Sequence, residues 1–119
     1  MASDSLHEPA EQLKPQTIEL HRAIVSLMEE LEAIDWYDQR VRATRDPELA
    51  SILAHNRDDE KEHAAMTLEW IRRQDPALDE QLRLYLFTSG QIVLVDNNGG
   101  GSPPATSRSL GIGSLRGAS

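Results

Sequence analysis

The sequence predicts an all-α fold. It reads as an antiparallel two-helix hairpin plus a short C-terminal helix, with a four-helix bundle completed by dimerisation. Three observations predict it. From Thr17 to Ala43 apolar residues recur at three- and four-residue steps, with no Gly or Pro between them. Asp46-Pro47-Glu48 then opens a second long helical stretch. The third is size: 119 residues, 39% hydrophobic and 4% aromatic, can close only a modest core without a partner.

Residues 1–14 are polar, and Ser5-x-x-Glu8 has the pattern of a capping box. Proline is tolerated at a helix start but not inside one. Helix 1 is therefore expected from about Pro15, with room for an earlier turn. Its stripe is Leu20, Ile24, Leu27, Leu31, Ile34 and Val41, on a rod roughly 40 Å long. Around the wheel Glu30 falls beside Ala23, Leu27 and Ile34, at the edge of the stripe. Glu29 and Glu32 point away from it, Trp36 lies on their outer side, and Tyr37 falls near Glu30.

In helix 2 Asp46 is the N-cap, Pro47 the first helical residue and Glu48 the acid of the first turn. The helix is expected to reach about Gln74. Its stripe is Leu49, Ile52, Leu53, Asn56, Glu60, His63, Thr67, Trp70 and Ile71. The middle of that stripe is polar, and buried polar groups cost several kcal/mol unless something pairs with them. Asp75-Pro76 repeats the start signal for helix 3, with Leu78, Leu82, Tyr85 and Leu86 as its apolar face and an end near Ser89-Gly90. Ile92–Val95 is a brief β-prone run, left extended or packed on a neighbour.

At Asn97 the composition changes, so the helical domain is read as residues 1–96. Residues 97–109, rich in Gly, Ser and Pro, read as a flexible linker. In residues 110–119, Leu110, Ile112 and Leu115 alternate with small residues. That is the form of a short docking motif whose alternate side chains enter pockets on a partner, or of a tail with chance aliphatics.

The net charge of −8 argues against nucleic acid and anionic membranes as partners. There is no cysteine, so disulfides, thiolate ligands and cysteine nucleophiles are excluded, in keeping with a reducing cytosol. No apolar run approaches the roughly 18 residues of a membrane span. The first residues lack the charged-then-apolar pattern of a secretory leader.

The chemistry lies in Glu60-x-x-His63. That spacing puts both side chains on one helix face. A bundle-type di-iron site takes one Glu from each of two helices and a Glu-x-x-His from each of the other two. One hairpin supplies Glu30, Glu60 and His63, and a two-fold axis doubles the set. Carboxylates with one imidazole per metal suit Fe(II), Mn(II) or Zn(II), and iron is favoured. The bland reading is a surface pair at helical spacing. Glu29 and Glu32 are an outer cation site or simply solvated acids, and Trp36 lines a metal route or an interface. Tyr37 hydrogen-bonds a ligand carboxylate or serves as core. His55 and Asp59 lie four apart on the flank, as a transient cation site or a pair.

Two stretches carry a family resemblance: Met28-Glu-Glu-Leu-Glu-Ala-Ile-Asp-Trp-Tyr-Asp-Gln-Arg40 and Ala54-His-Asn-Arg-Asp-Asp-Glu-Lys-Glu-His-Ala-Ala-Met-Thr-Leu-Glu-Trp70. They closely resemble the encapsulated ferritins, and the tail from Leu110 to Gly117 resembles the targeting peptide of encapsulin cargo. The resemblance covers about residues 6–95 plus the tail. It implies a ferritin-like bundle formed by two subunits, with dimers assembled into a decameric ring of five. It also implies a ferroxidase that oxidises Fe(II) with O₂, two iron ions per dimer, inside an encapsulin nanocompartment in the cytoplasm. Matching positions give Glu30, Glu60 and His63 as di-iron ligands. Glu29 and Glu32, with Trp36 beside them, match an outer site for Ca or another divalent cation, and Tyr37 supports a ligand carboxylate. Leu110, Ile112 and Leu115 become the residues that dock on the shell protein. The departures are Pro15 and the Gly/Pro-rich linker, and none falls on a ligand. The rival function is a non-enzymatic metal-binding helical module carried as encapsulin cargo.

Overall fold

A computed structural model describes residues 5–93. It contains a 3-10 turn at Ala10–Gln12 and three α-helices among the described residues: α1 (Pro15–Ala43), α2 (Pro47–Gln74) and α3 (Pro76–Tyr85). No strand occurs among the described residues, and no helix there is long and apolar enough to cross a membrane. The chain divides into two units at Asp79. The linker 97–109 and the residues Leu110, Ile112 and Leu115 lie outside the described range.

Each boundary has a local cause. No α-helix begins at Ser5, contrary to the capping-box pattern. Pro9 disfavours helical geometry at the residue before it, and only the short 3-10 turn follows. Lys14 is likewise extended, with ψ 150°, and Pro15 takes the first helical position, where no amide donor is needed. At its other end α1 carries Arg40 and Arg42, cations placed against the negative end of the helix dipole. The turn is closed by Asp46. Its Oδ1 accepts from the amides of Glu48 at 3.0 Å and Leu49 at 3.4 Å, while its own amide donates to Thr44 Oγ1 at 3.3 Å. Asp75 repeats the device, its Oδ1 accepting from the Leu78 amide at 3.0 Å.

Two helices of similar length joined by so short a turn must run antiparallel. Three polar links mark their register. Gln16 Nε2 donates to Gln74 Oε1 at 2.9 Å at the open end. Thr67 Oγ1 lies 3.4 Å from Glu30 Oε2 in the middle. Arg57 Nη1 donates to Asp38 Oδ1 at 2.8 Å near the turn.

The expected apolar stripes are only half covered. Among the described residues Ala64 and Ile71 are the buried hydrophobic ones, at 8% and 4% exposure, and no large side chain there is fully buried. Leu53, Thr67 and Leu68 are half-buried, but Leu49, Ile52, Met66 and Trp70 are exposed. On α1, Leu27, Ile34 and Val41 are half-buried while Ile24 and Leu31 are exposed. Two helices form a single layer, and one layer cannot cover its own second face.

In the second unit α3 ends at Tyr85, four residues before the expected Ser89. The Leu86 amide still bonds to the Leu82 carbonyl at 2.9 Å, and the Thr88 hydroxyl donates to the Tyr85 carbonyl at 3.1 Å. Phe87 then takes the left-handed conformation, φ 60°, and stops the helix. Gly90, φ 91°, is a second left-handed residue further on. Ile92 and Val93 are exposed and in a bend. They form no strand, and the rest of that run lies outside the described residues.

Candidate metal centre

The central turns of α2 carry the polar residues of the stripe. Glu60 and His63 come together: His63 Nδ1 lies 3.5 Å from Glu60 Oε1. The Glu60 side chain is 27% exposed and that of His63 48%. The helix wheel explains the difference. Glu60 and Thr67 fall where the seam of Leu53, Ala64 and Ile71 meets the open face. His63 falls on the open face itself, with Ile52, Met66 and Trp70.

Glu30 reaches the same region from α1 but not the same point. Its Oε2 faces the Thr67 hydroxyl at 3.4 Å. Thr67 sits one turn beyond His63 and two turns beyond Glu60, about 6 and about 10 Å along the helix. Glu30 Oε1 is buried and has no hydrogen-bond partner among the described residues. Beside it runs an open groove of about 450 Å³, lined by Glu19, Arg22, Ala23, Ser26 and Glu30 of α1 and Met66, Thr67 and Trp70 of α2. Among the described residues no three His, Asp or Glu groups of one chain gather as a metal cage.

The remaining candidates lie elsewhere. Tyr37 is two turns along α1 from Glu30, and its ring lies under the Arg40 guanidinium, 5.4 Å from the centroid. Glu29 is exposed, Glu32 half-buried and Trp36 50% exposed. His55 and Asp59 form an exposed pair, Nε2 to Oδ2 3.3 Å. Two charged groups that periodicity left unassigned frame the hairpin. Arg57 binds Asp38 at 2.8 Å and Asp58 at 3.0 Å. Arg42 and Arg57 donate hydrogen bonds to Asp38, which holds its carboxyl below the usual range. Further along α2, Arg72 grips Glu69 through Nε at 2.8 Å and Nη2 at 2.7 Å, and also contacts Asp79. Arg73 Nε adds a third bond to Glu69 at 2.7 Å. Those bonds, from Arg72 first and Arg73 second, lower the Glu69 carboxyl from 4.5 to about 2.

Thr67 is the site residue that periodicity flagged without giving it a role. It was visible as a polar position in the stripe, four residues after His63. Its partner on α1 could be found only from the register of the hairpin.

Comparison with known proteins bears on this arrangement. Residues 5–89 match the EncFtn-like family. The chain is 58% identical to an encapsulated ferritin-like protein of Rhodospirillum rubrum, across 98% of this chain and 91% of that protein. It is 47% identical to a ferritin-like protein of Thermotoga maritima, across 95% of this chain and 99% of that protein. An encapsulin nanocompartment cargo protein of Myxococcus xanthus is 35% identical over 82% of this chain and 85% of that protein. Among solved structures, a Nitrosomonas europaea protein superposes with a TM-score of 0.72 at 61% identity, across 74% of this chain and 97% of that one.

Proposed function

Since the chain belongs to the EncFtn-like family, we propose that it is a ferroxidase acting inside an encapsulin compartment. In this reading Fe(II) is the substrate, held in pairs between two copies of the hairpin by Glu30, Glu60 and His63 of each. The observation that carries it is Glu30 Oε1, a buried carboxylate oxygen without a partner. Such an atom is costly unless a cation or donor meets it. The ligand set fits: hard carboxylates with one imidazole suit first-row divalent metals, and Glu60 and His63 already lie side by side.

The need for a second copy has its own support. One chain gathers no three-ligand cage among its described residues, and Ile52, Met66 and Trp70 leave the same face open. Pairing two hairpins across that face makes a four-helix bundle and brings a second ligand set to the first. A ring of five such dimers is the larger assembly proposed. Two Fe(II) ions held together supply O₂ with two electrons, one from each. The chain's own part is to bind them, to present carboxylates that favour the harder Fe(III), and to exclude bulk water by closing the apolar face. Glu29 and Glu32, with Trp36, are proposed as an outer divalent cation site. The names of the relatives from Rhodospirillum rubrum and Myxococcus xanthus support an encapsulin shell as partner, docked through Leu110, Ile112 and Leu115.

The test is native mass with and without Fe(II), followed by O₂ consumption on the same sample. The wild type is expected to form a larger species and to consume O₂. Glu60→Ala and His63→Ala, still dimeric, are expected to slow oxidation more than about 10-fold, since even outer partners of ligands are worth that much. Bound metal without O₂ uptake would favour the non-enzymatic cargo module. An undiminished rate in Glu60→Ala would sink the proposal.

A further inference from the structure

Thr67 touches both helices of the candidate centre. Its hydroxyl lies 3.0 Å from the His63 carbonyl, four residues back on α2, and 3.4 Å from Glu30 Oε2 on α1. A hydroxyl has one proton to give, so two acceptors share it. The shorter contact is the back-bond to the helix that threonine makes, and it selects one of the two χ1 rotamers open to a helical threonine. In that rotamer the oxygen faces a carboxylate, which is the stronger acceptor of the two.

The result is an asymmetric carboxylate. Glu30 Oε2 has Thr67, while Oε1 is buried with no partner. Neither Met66 nor Trp70, which line the groove with Thr67, donates a hydrogen bond to Oε1. We propose that Thr67 is a positioning residue: its hydroxyl holds Oε2 of Glu30 and leaves Oε1 as the atom available to a divalent cation. The proposal rests on the reading of Glu30 as a metal ligand. The shorter contact of Thr67, to the His63 carbonyl, stays within α2. The same side chain thereby connects Glu30 to the turn that carries His63.

The experiment compares Thr67→Val, which keeps the shape and loses the donor, with Thr67→Ser, which keeps the donor. The full chain is titrated with Co(II) alone, and far-UV circular dichroism checks that each variant is helical. Thr67→Val is expected to bind Co(II) about tenfold more weakly, and Thr67→Ser to stay close to wild type. A second readout needs no metal. Isotope-edited infrared spectra of ¹³C-glutamate protein give the Glu30 carboxylate band, identified by its loss in Glu30→Gln. That band is expected to move in Thr67→Val and to return in Thr67→Ser. An unmoved band in Thr67→Val overturns the proposal, and so does a moved band with unchanged Co(II) affinity. Absence of Co(II) uptake by the wild type overturns the metal reading itself, and the band then reports separately on whether Thr67 holds Glu30.

Discussion

Arg57 of α2 donates to Asp38 of α1 across the hairpin, Nη1 to Oδ1 at 2.8 Å, with the two side chains 20% and 32% exposed. Asp38 also accepts from Arg42 Nε at 2.9 Å. The pair ties the two helices near the turn. Arg57→Ala is expected to lower the thermal midpoint, measured at fixed protein concentration. Asp38→Asn should do the same, and the double variant should lose less than the sum. Additive losses would show that the two residues act independently.

Acid should weaken the fold through Glu69. Its carboxyl sits at about 2 when folded, against an ordinary value of 4.5. The unfolded chain therefore binds that proton more readily. The stability Glu69 contributes is complete above about pH 4.5 and is lost as pH falls toward about 2. Asp38 and Asp58, also depressed by their arginine and lysine partners, act in the same direction. Thermal midpoints followed from pH 6 to pH 2 should fall less steeply in Glu69→Gln than in wild type.

Glu30 should cost the metal-free protein stability. Its Oε1 is buried without a partner, a situation worth about 1–3 kcal/mol against folding. Glu30→Leu is expected to raise the melting midpoint of the metal-free chain. The same variant should lose the upward shift that divalent metal gives wild type. A lower midpoint in metal-free Glu30→Leu would mean that Glu30 serves the fold instead.

Removing residues 110–117 should separate targeting from chemistry. Co-expressed with shell protein, the truncated chain is expected outside the assembled compartment on size-exclusion chromatography. Its Fe(II) oxidation rate should be unchanged. Loss of both would argue against a separable tail.

Much of the hairpin was legible because its signals are local. Pro15, Asp46-Pro47 and Asp75-Pro76 mark starts through their own backbone chemistry, and α1, α2 and α3 begin at those prolines. The end of α3 was misplaced because Gly90 is a familiar stop signal, whereas Phe87 at φ 60° is not one that composition reveals. The Ser5 cap failed because Pro9 outweighs it. Periodicity also put Glu60, His63 and Thr67 on one stripe but could not say which edge of that stripe faces α1.

The sequence by itself determined two long helices, their tight turn, and a Glu-x-x-His pair on one face, because helical spacing and capping act within a few residues. Only the tertiary structure decided that Glu30 meets Thr67, that its other oxygen is left buried and alone, and that Arg57 closes on Asp38. Those facts depend on the register between α1 and α2. Register is set by packing across the hairpin, which no spacing along one helix encodes.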